Sequence, residues 1–348
     1  MIETKNRDNA IDLMKGILVV FMTLSHFLYF TNWWDFAPYH LIHDTVNLVA
    51  FPGFMFCFGY VSWGAYINST KNDVYWRIIK ASIKVLIAYY FSGILFLLTK
   101  DMLSGINIFK LLTFQMNPFL VEFLLSFFLL DMMLMVIRVP LKKANNWSLV
   151  ICGFLCLCMC FFPYKPSKLP ILGCLIGMDK GFYDPIVQYF PHFLFGMVLS
   201  KEKIMFNKIV LFVVAVATIA YYVFSAIIDI PSRFPPDVLY VLGSSLFVYS
   251  LFIFCKKVEL LKFKVSCVEF VGKNTLVYLV TGNFVIYTIQ AGISHGVVKQ
   301  EFNSANDIWK FIIVYFFCIV IASAISLIIK SIARNIVKKA TIKERQYQ

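Results

Sequence analysis

Residues 11–30 read IDLMKGILVVFMTLSHFLYF, an apolar run with few interruptions. About 20 predominantly apolar residues in a helix span the hydrocarbon core of a bilayer, and the stretch has that length and character. Three ionisable side chains interrupt it: Asp12 and Lys15 near its start, and His26 eleven residues after Lys15. Ionisable groups are costly inside a membrane. The stretch therefore predicts a membrane-spanning helix that carries polar groups at two depths.

The rest of the chain shares this apolar character. Of its 348 residues 60% are hydrophobic, 15% are charged and 37 are Phe, whereas soluble domains average about 25% charged residues. This composition excludes a soluble enzyme, a nucleic-acid binder and a disulfide-stapled secreted module. We predict an all-α, polytopic membrane helical bundle, in which residues 1–340 form one domain and residues 341–348 a short basic tail. About ten transmembrane helices are predicted, near residues 11–30, 45–67, 78–98, 117–137, 148–163, 186–200, 207–228, 237–255, 268–290 and 309–330.

The distribution of Lys and Arg predicts the orientation. When the spans alternate in direction, 24 of the 32 cationic residues fall on the side that holds both termini, and 8 fall on the other side. Because cytoplasmic loops collect Lys and Arg, both termini are predicted to face the cytoplasm, and the net charge of +13 is topogenic. Most of the nine cysteines lie in apolar runs, and no His accompanies them. We therefore predict neither a disulfide nor a metal site.

Cations line one face of the third predicted span. Arg77, Lys80 and Lys84 follow the i, i+3, i+7 spacing at the cytoplasmic N-terminal end of that helix. Free N–H groups and the helix dipole favour anions there. The stripe predicts a site for a polyphosphate ligand that enters from the cytoplasm, and contact with lipid head groups is an equally good interpretation. Asp12 and Lys15, three residues apart, are by themselves interpreted as a structural pair or an interfacial anchor.

A second group of polar residues follows from matched depth. Glu122 lies about five residues inside the fourth predicted span, ~8 Å from its outer end, and His26 lies near the outer end of the first. His192 and Asn283 fall near the same layer. A carboxylate beside an imidazole fixes its tautomer and supports it as a base. Depth alone does not establish lateral contact, and an intramembrane His is often only a helix–helix contact.

Several motifs resemble those of a known family. Residues 7–26, with the pattern R…IDxxKG…H, resemble the opening of the integral membrane acyltransferases called acyltransferase 3. Departures from the family pattern are Phe58 in place of Ser, Lys80 in place of a second Arg, and Thr281 where many relatives have His. An ammonium lacks the bidentate grip of a guanidinium on phosphate. Later stretches that resemble family signatures are residues 54–60 (FMFCFGY), 77–80 (RIIK), 190–196 (FPHFLFG) and 272–279 (GKNTLVYL).

The resemblance implies an activity and a location. Family members transfer an acyl group, most often acetyl, from cytoplasmic acyl-CoA to a hydroxyl of a cell-surface glycan or its lipid-linked precursor. The chain would then be a multi-pass O-acetyltransferase of the bacterial plasma membrane, with acetyl-CoA as its donor substrate and no permanently bound cofactor. Its partners would be acyl-CoA, the glycan acceptor and membrane lipid, without nucleic acid, and the oligomeric state is left open.

The resemblance also gives roles to the candidate residues. His26 would be the general base on the acceptor hydroxyl or the carrier of the acyl group, and Glu122 would orient it. Arg233, in the outer loop before the eighth span, would seat the acceptor with His192 and Asn283. A rigid turn at residues 233–236 (RFPP) is the simpler interpretation of that loop. The CoA phosphates would meet Lys15, Arg77, Lys80 and Lys84.

Two other functions fit part of the pattern. A transporter or flippase of a glycolipid or small anion also has many spans and interior charges. The first-helix motif favours the enzyme, and no clear internal repeat supports the transporter. A non-catalytic membrane scaffold would have no use for the cationic stripe. Consumption of acetyl-CoA by the purified protein separates the enzyme from the transporter.

Overall fold

A computed structural model gives the arrangement of the chain. It describes residues 8–30, 37–116, 118–162, 165, 171–177, 184–263, 265–295, 312–313, 315–317, 319–328 and 331–332. Two features predicted from the sequence lie outside these residues. They are the basic residue Arg7 of the first motif and the tail at residues 341–348.

The described residues form helices joined by turns, with no β-strand among them. A π-helical turn, Trp63–Ile67, continues the second helix, and a 3-10 turn, Met159–Phe161, continues the sixth. Further helical residues lie at 315–317 and 319–328. In chain order the helices are α1 (Asn9–Phe30), α2 (Ala37–Ser62), α3 (Val74–Thr99), α4 (Gly105–Leu112), α5 (Glu122–Lys143), α6 (Asn146–Cys158), α7 (Ile171–Ile176), α8 (Ile186–Lys201), α9 (Lys208–Ile227), α10 (Val238–Gly243), α11 (Ser245–Leu260), α12 (Ser266–Lys273) and α13 (Thr275–Ser294).

The all-α, multi-pass architecture is confirmed, whereas ten spans and cytoplasmic termini stay predictions. Four of the ten predicted spans differ from a single long helical stretch. The fifth and sixth are the shorter helices α6 and α8, the ninth is divided between α12 and α13, and the tenth is described only in part. Within the described part of the chain six helical stretches are long and apolar enough to cross a membrane: Asn9–Tyr29, His40–Ile67, Val74–Thr99, Glu122–Lys143, Lys208–Ile227 and Val238–Leu260.

The fourth predicted span begins later than the sequence suggests. The prediction started it at residue 117, but α5 begins at Glu122. Leu120 adopts a positive φ of 69°, which a right-handed helix does not accommodate, so the helix cannot begin before this residue. Glu122 is therefore the first residue of α5, and the predicted depth of ~8 Å inside the helix is wrong.

Helix α1 is central, since it packs against α2, α11, α12 and α13. Its contact with α12 is a backbone contact. A Cβ on Gly272 would lie 1.7 Å from the carbonyl oxygen of Asp12, and a Cβ on Gly16 would lie 2.1 Å from that of Val268. Both positions therefore require glycine. The first motif and the stretch at residues 272–279 each supply one glycine of this interface.

Gly272→Ala is expected to lower thermal stability, because the added methyl group forces α12 away from α1. Overpacking of this kind costs about 1–3 kcal/mol, and here the obstacle is backbone. Thermal unfolding in detergent measures the loss. Gly105→Ala is the matched control, since a Cβ on Gly105 meets no atom within 4 Å. Equal effects of the two substitutions would contradict the backbone contact.

Candidate active site

His26 lies near the C-terminal end of α1, on the side of the bundle that is predicted to face away from the cytoplasm and that we call the outer side, and part of its surface is accessible. Among the described residues it makes no hydrogen bond. The charges of Arg233 and His43 act on its imidazole, so both side chains lie in its surroundings. An imidazole that is accessible and not engaged by the protein is available to accept a proton or to attack a ligand.

His43 connects the surroundings of His26 with the outer face of the bundle. Its Nδ1 lies 3.0 Å from the hydroxyl of Ser25, the neighbour of His26, and its Nε2 lies 2.8 Å from Nδ2 of Asn47. An amide nitrogen only donates, so Nε2 of His43 accepts, and Nδ1 carries the hydrogen that Ser25 accepts. Tyr29 stacks on the imidazole with a centroid distance of 5.6 Å. These contacts fix the ring in one tautomer.

Arg233 reaches inward from the outer loop and pairs with Asp184. Its Nη2 lies 3.5 Å from Oδ1 of Asp184, and the two side chains are 26% and 6% exposed. The guanidinium also covers the ring of Phe234 at 4.5 Å. Burial raises the pKa of the Asp184 carboxyl, and the guanidinium opposes this rise.

The loop that carries Arg233 is a closed turn. The backbone N–H of Ser232 donates to Oδ2 of Asp237 at 2.7 Å, and the N–H of Asp237 donates to the carbonyl oxygen of Ser232 at 2.9 Å. The sequence predicts a rigid turn at residues 233–236. Such a turn is compatible with a side chain of Arg233 that points into the bundle. The turn holds the guanidinium in place.

Glu122 has a contact different from the one predicted. Its Oε2 accepts the backbone N–H of Val121 at 2.9 Å. The first N–H groups of a helix lack helical partners and attract carboxylates, which explains this contact at the start of α5. The charges of Asp184 and Arg233 act on Glu122. No hydrogen bond joins it to His26 within the described residues, so the predicted orienting role has no contact to support it.

Asn283 makes a hydrogen bond to the segment that precedes α5. Its Nδ2 donates to the carbonyl oxygen of Leu120 at 3.1 Å, and the side chain is 3% exposed. The hydroxyl of Tyr287 donates to the carbonyl oxygen of Phe119. Helix α13 therefore holds this segment and sets the position of Glu122. The predicted substrate role of Asn283 stays a prediction, and its observed contact is structural.

His192 is a helix–helix contact. It is 3% exposed, and its Nε2 lies 2.9 Å from the carbonyl oxygen of Val241 and 3.1 Å from the hydroxyl of Ser244. A carbonyl oxygen only accepts, so Nε2 carries the hydrogen and donates it to Val241. The bond ties α8 to α10. This is the structural alternative that the sequence left open for an intramembrane His.

A cavity of about 560 Å³ opens on the outer face beside these residues. Asn47 lines the cavity and also contacts His43, and Arg233 lines the cavity and also pairs with Asp184. We call the cavity, these contacts and His26 together the outer site. Aromatic, hydroxyl, amide and charged side chains all contribute to its wall. The wall is lined by Leu41, Asp44, Thr45, Asn47, Leu48, Tyr221, Tyr222, Ser225, Ile230, Pro231, Ser232, Arg233 and Tyr240.

Arg77 and Lys80 lie at the start of α3, as the sequence predicts. Arg77 donates to the carbonyl oxygen of Ala65 in the π-helical turn, and its guanidinium lies 5.7 Å from the ring centroid of Tyr66. The ammonium of Lys80 lies 5.3 Å from the ring centroid of Trp76. π-Helical turns are rare in proteins, and those that occur are often found at functional sites. We call these cations and rings the inner rim.

The other two predicted CoA contacts differ in their surroundings. Nζ of Lys15 lies 2.7 Å from Oδ1 of Asp12, with side-chain exposures of 22% and 3%, which is the structural pair that the spacing suggests. Lys84 is exposed and borders an apolar groove between α3 and α13. The CoA contacts of both lysines stay predictions.

A family model described as an acyltransferase domain, Acyl_transf_3, matches residues 8–330. The chain belongs to the acyltransferase 3 family. The resemblance of the motifs is therefore confirmed, and the protein is in general terms a membrane acyltransferase. Neither a curated protein nor a solved structure matches the sequence significantly.

Two polar residues of this acyltransferase are missed by the sequence patterns, namely His43 and Asp184. His43 lies just before the predicted start of the second span at residue 45 and so falls in a loop of the prediction. Its spacing of four residues from Asn47 was the available signal, because such residues share one face of a helix. Asp184 gives no local signal, since its partner Arg233 lies 49 residues later in the chain.

Proposed function

We propose that this acyltransferase moves an acyl group, most simply acetyl, from cytoplasmic acyl-CoA to a hydroxyl of a cell-surface glycan or its lipid-linked precursor in the bacterial plasma membrane. His26 is the observation that carries the proposal. It is accessible, it has no hydrogen bond within the described residues, and it lies in the field of Arg233. A hydroxyl acceptor needs a base or a reactive acyl carrier, and His26 supplies either.

The donor would approach from the inner rim. CoA carries phosphates that require cations, and Arg77 and Lys80 lie at a helix N-terminus, where anions are favoured. Trp76 is 57% exposed and offers an aromatic face on which a nucleobase can stack. Along α1 the distance from Lys15 to His26 is about 16 Å, a length suited to the pantetheine arm of CoA.

The acceptor would occupy the cavity of the outer site. Sugars present both C–H faces and hydroxyl groups. The rings of Tyr221, Tyr222 and Tyr240 provide flat apolar surfaces, while Asp44 and Asn47 provide an acceptor and an amide. A glycan hydroxyl held in this cavity would lie beside the residues that surround His26.

The proposed reaction has two routes that use the same residues. In the first, the His26 imidazole removes the hydroxyl proton, the acceptor oxygen attacks the thioester carbonyl, and the C–S bond breaks. The thiolate then takes the proton back from the imidazolium, so the products are the ester and free CoA. In the second, an imidazole nitrogen attacks the thioester carbonyl, the C–S bond breaks, and the thiolate takes the ring N–H proton to leave as free CoA. The acceptor hydroxyl then attacks the acyl-imidazole, the C–N bond breaks, and the hydroxyl proton passes to the ring, so the ester and neutral His26 result. In both routes Arg233 is the neighbouring cation that would stabilise the oxyanion of the tetrahedral intermediate.

Release of free thiol from acetyl-CoA tests the proposal. Protein purified in detergent is incubated with acetyl-CoA and a crude glycan extract, and CoA binding is titrated in parallel. We expect binding together with thiol release that depends on the extract. A wild-type protein that neither binds nor cleaves acetyl-CoA would exclude the enzyme, and transport assays in liposomes would then test the alternative function.

Arg77→Ala is expected to weaken CoA binding by about tenfold or more, because a hydrogen bond to a charged group contributes about 1.5–3 kcal/mol. Arg138→Ala is a matched control. Arg138 also donates to a backbone carbonyl, that of Ser69 at 3.1 Å, and also lies over a ring, that of Tyr75 at 5.1 Å. Equal losses in the two variants would mean that the inner rim acts through general charge or folding instead of a specific phosphate contact.

A further inference from the structure

An apolar groove, which we call the lateral groove, runs between α3 and α13. Its volume is about 620 Å³, and the described residues of its walls are apolar apart from Lys84 and Thr281. On α3 its wall includes Ile87, Phe91 and Leu95, which with Lys84 follow the i, i+3, i+7, i+11 spacing of a stripe along the helix. The groove therefore runs along α3, which crosses the membrane. Val280 and Phe284 on α13 and Ile325 also contribute to the wall.

Lys84 lies at the end of the lateral groove that the distribution of Lys and Arg predicts to face the cytoplasm. Its side chain is exposed, and within the described residues it forms no ion pair. Two other lysines of the membrane-spanning helices do have carboxylate partners: Lys15 lies 2.7 Å from Asp12, and Lys256 lies 2.7 Å from Asp8. An ammonium at membrane depth is costly without an anion. The described residues supply no such anion to Lys84, and an anionic ligand at this end of the groove would lower the cost.

The shape of the groove defines that ligand. Eleven residues separate Lys84 from Leu95, a rise of about 16 Å, or roughly half of the hydrocarbon core. The ligand therefore has an anionic group near the cytoplasmic surface and a hydrocarbon chain that reaches towards the middle of the bilayer. CoA does not fit this description, because the amides of its pantetheine arm would lose their hydrogen bonds against apolar walls. Anionic phospholipids fit it and are present at that surface.

We propose that the lateral groove binds an anionic phospholipid of the cytoplasmic leaflet. Its phosphate pairs with Lys84, and one acyl chain lies between α3 and α13 along Phe91 and Val280. The lipid stays bound to the folded protein and takes no part in the proposed acyl transfer. The site can therefore be tested without measuring acyl transfer. The assignment gives Lys84 a lipid phosphate in place of the predicted CoA phosphate.

Lipid titration followed by native mass spectrometry tests the site. Delipidated protein in detergent is titrated with phosphatidylglycerol and, separately, with zwitterionic phosphatidylcholine. We expect about fivefold preference for phosphatidylglycerol, which corresponds to about 1 kcal/mol for one Lys near an anionic membrane surface. Lys84→Gln should abolish the preference. Lys208→Gln, which removes an exposed lysine at the start of α9, should retain it. An unchanged preference in Lys84→Gln would overturn the proposal.

Two further measurements complete the test. Val280→Trp places an indole in the groove and should weaken the binding of both lipids several-fold, because the acyl chain loses its space. Should that variant fail to fold, the substitution at exposed Lys84 still decides. Excess CoA should leave phosphatidylglycerol bound to the wild-type protein. Displacement of the lipid by CoA would make Lys84 part of the donor site and would refute the lipid assignment.

Discussion

Replacing His26 by alanine is expected to lower acyl transfer by about 10²–10⁴-fold, the range that a positioned general acid or base contributes. The imidazole makes no hydrogen bond within the described residues, so its removal takes away the reactive group without breaking a structural contact. The affinity for CoA and the thermal stability should therefore stay near those of the wild type. Thiol release with glycan extract measures the first quantity, and CoA titration and thermal unfolding measure the others.

His295→Ala is the control for this experiment. His295 lies at the outer end of α13, is exposed, and pairs with Asp101 at 3.3 Å, so its loss should leave transfer unchanged. A His26→Ala variant that keeps more than about a tenth of the wild-type rate would contradict both proposed roles of His26. Rapid quenching with labelled acetyl-CoA separates the roles. Label that is bound to the wild-type protein and absent from His26→Ala indicates an acyl carrier, and no bound label indicates a base.

Features that depend on a single helix were predictable from the sequence. The Lys15–Asp12 pair follows from a spacing of three residues, and the structure confirms it. Arg77 and Lys80 stand at the start of α3, as their position before an apolar run suggests. Helix α8 begins and ends within one residue of its prediction at 186–200. In each case the evidence lies within a few residues along the chain.

Contacts between helices were not predictable in the same way. His192 and Asn283 were placed near the layer of His26 by depth, yet their partners are the backbone carbonyls of Val241 and Leu120. Depth follows from counting along one helix, whereas the partner depends on which helix lies beside it. Leu120, whose left-handed conformation delays α5, likewise receives a hydrogen bond from α13 that no local pattern indicates.

Asp184→Ala is expected to destabilise the protein by about 2–3 kcal/mol. Removing one partner of a buried ion pair costs about 3–5 kcal/mol, because the other charge stays buried and unpaired. The exposure of Arg233, 26%, reduces that cost. Thermal unfolding in detergent measures the loss. Asp229→Ala is the matched control on the same side of the bundle, since Asp229 is exposed and, among the described residues, its hydrogen-bond partner is the N–H of the adjacent Ile230 at 2.8 Å.

The double variant Asp184→Ala with Arg233→Met separates the structural and chemical roles of the guanidinium. If the two residues act as a pair, the double variant loses less stability than the sum of the single losses, since no unpaired charge remains. Acyl transfer then distinguishes the roles. If acyl transfer recovers together with stability, Arg233 only holds the loop. If the guanidinium stabilises the oxyanion, as we propose, acyl transfer stays low even though the double variant is stable. Additive losses of stability would show that the 3.5 Å contact carries no coupling energy.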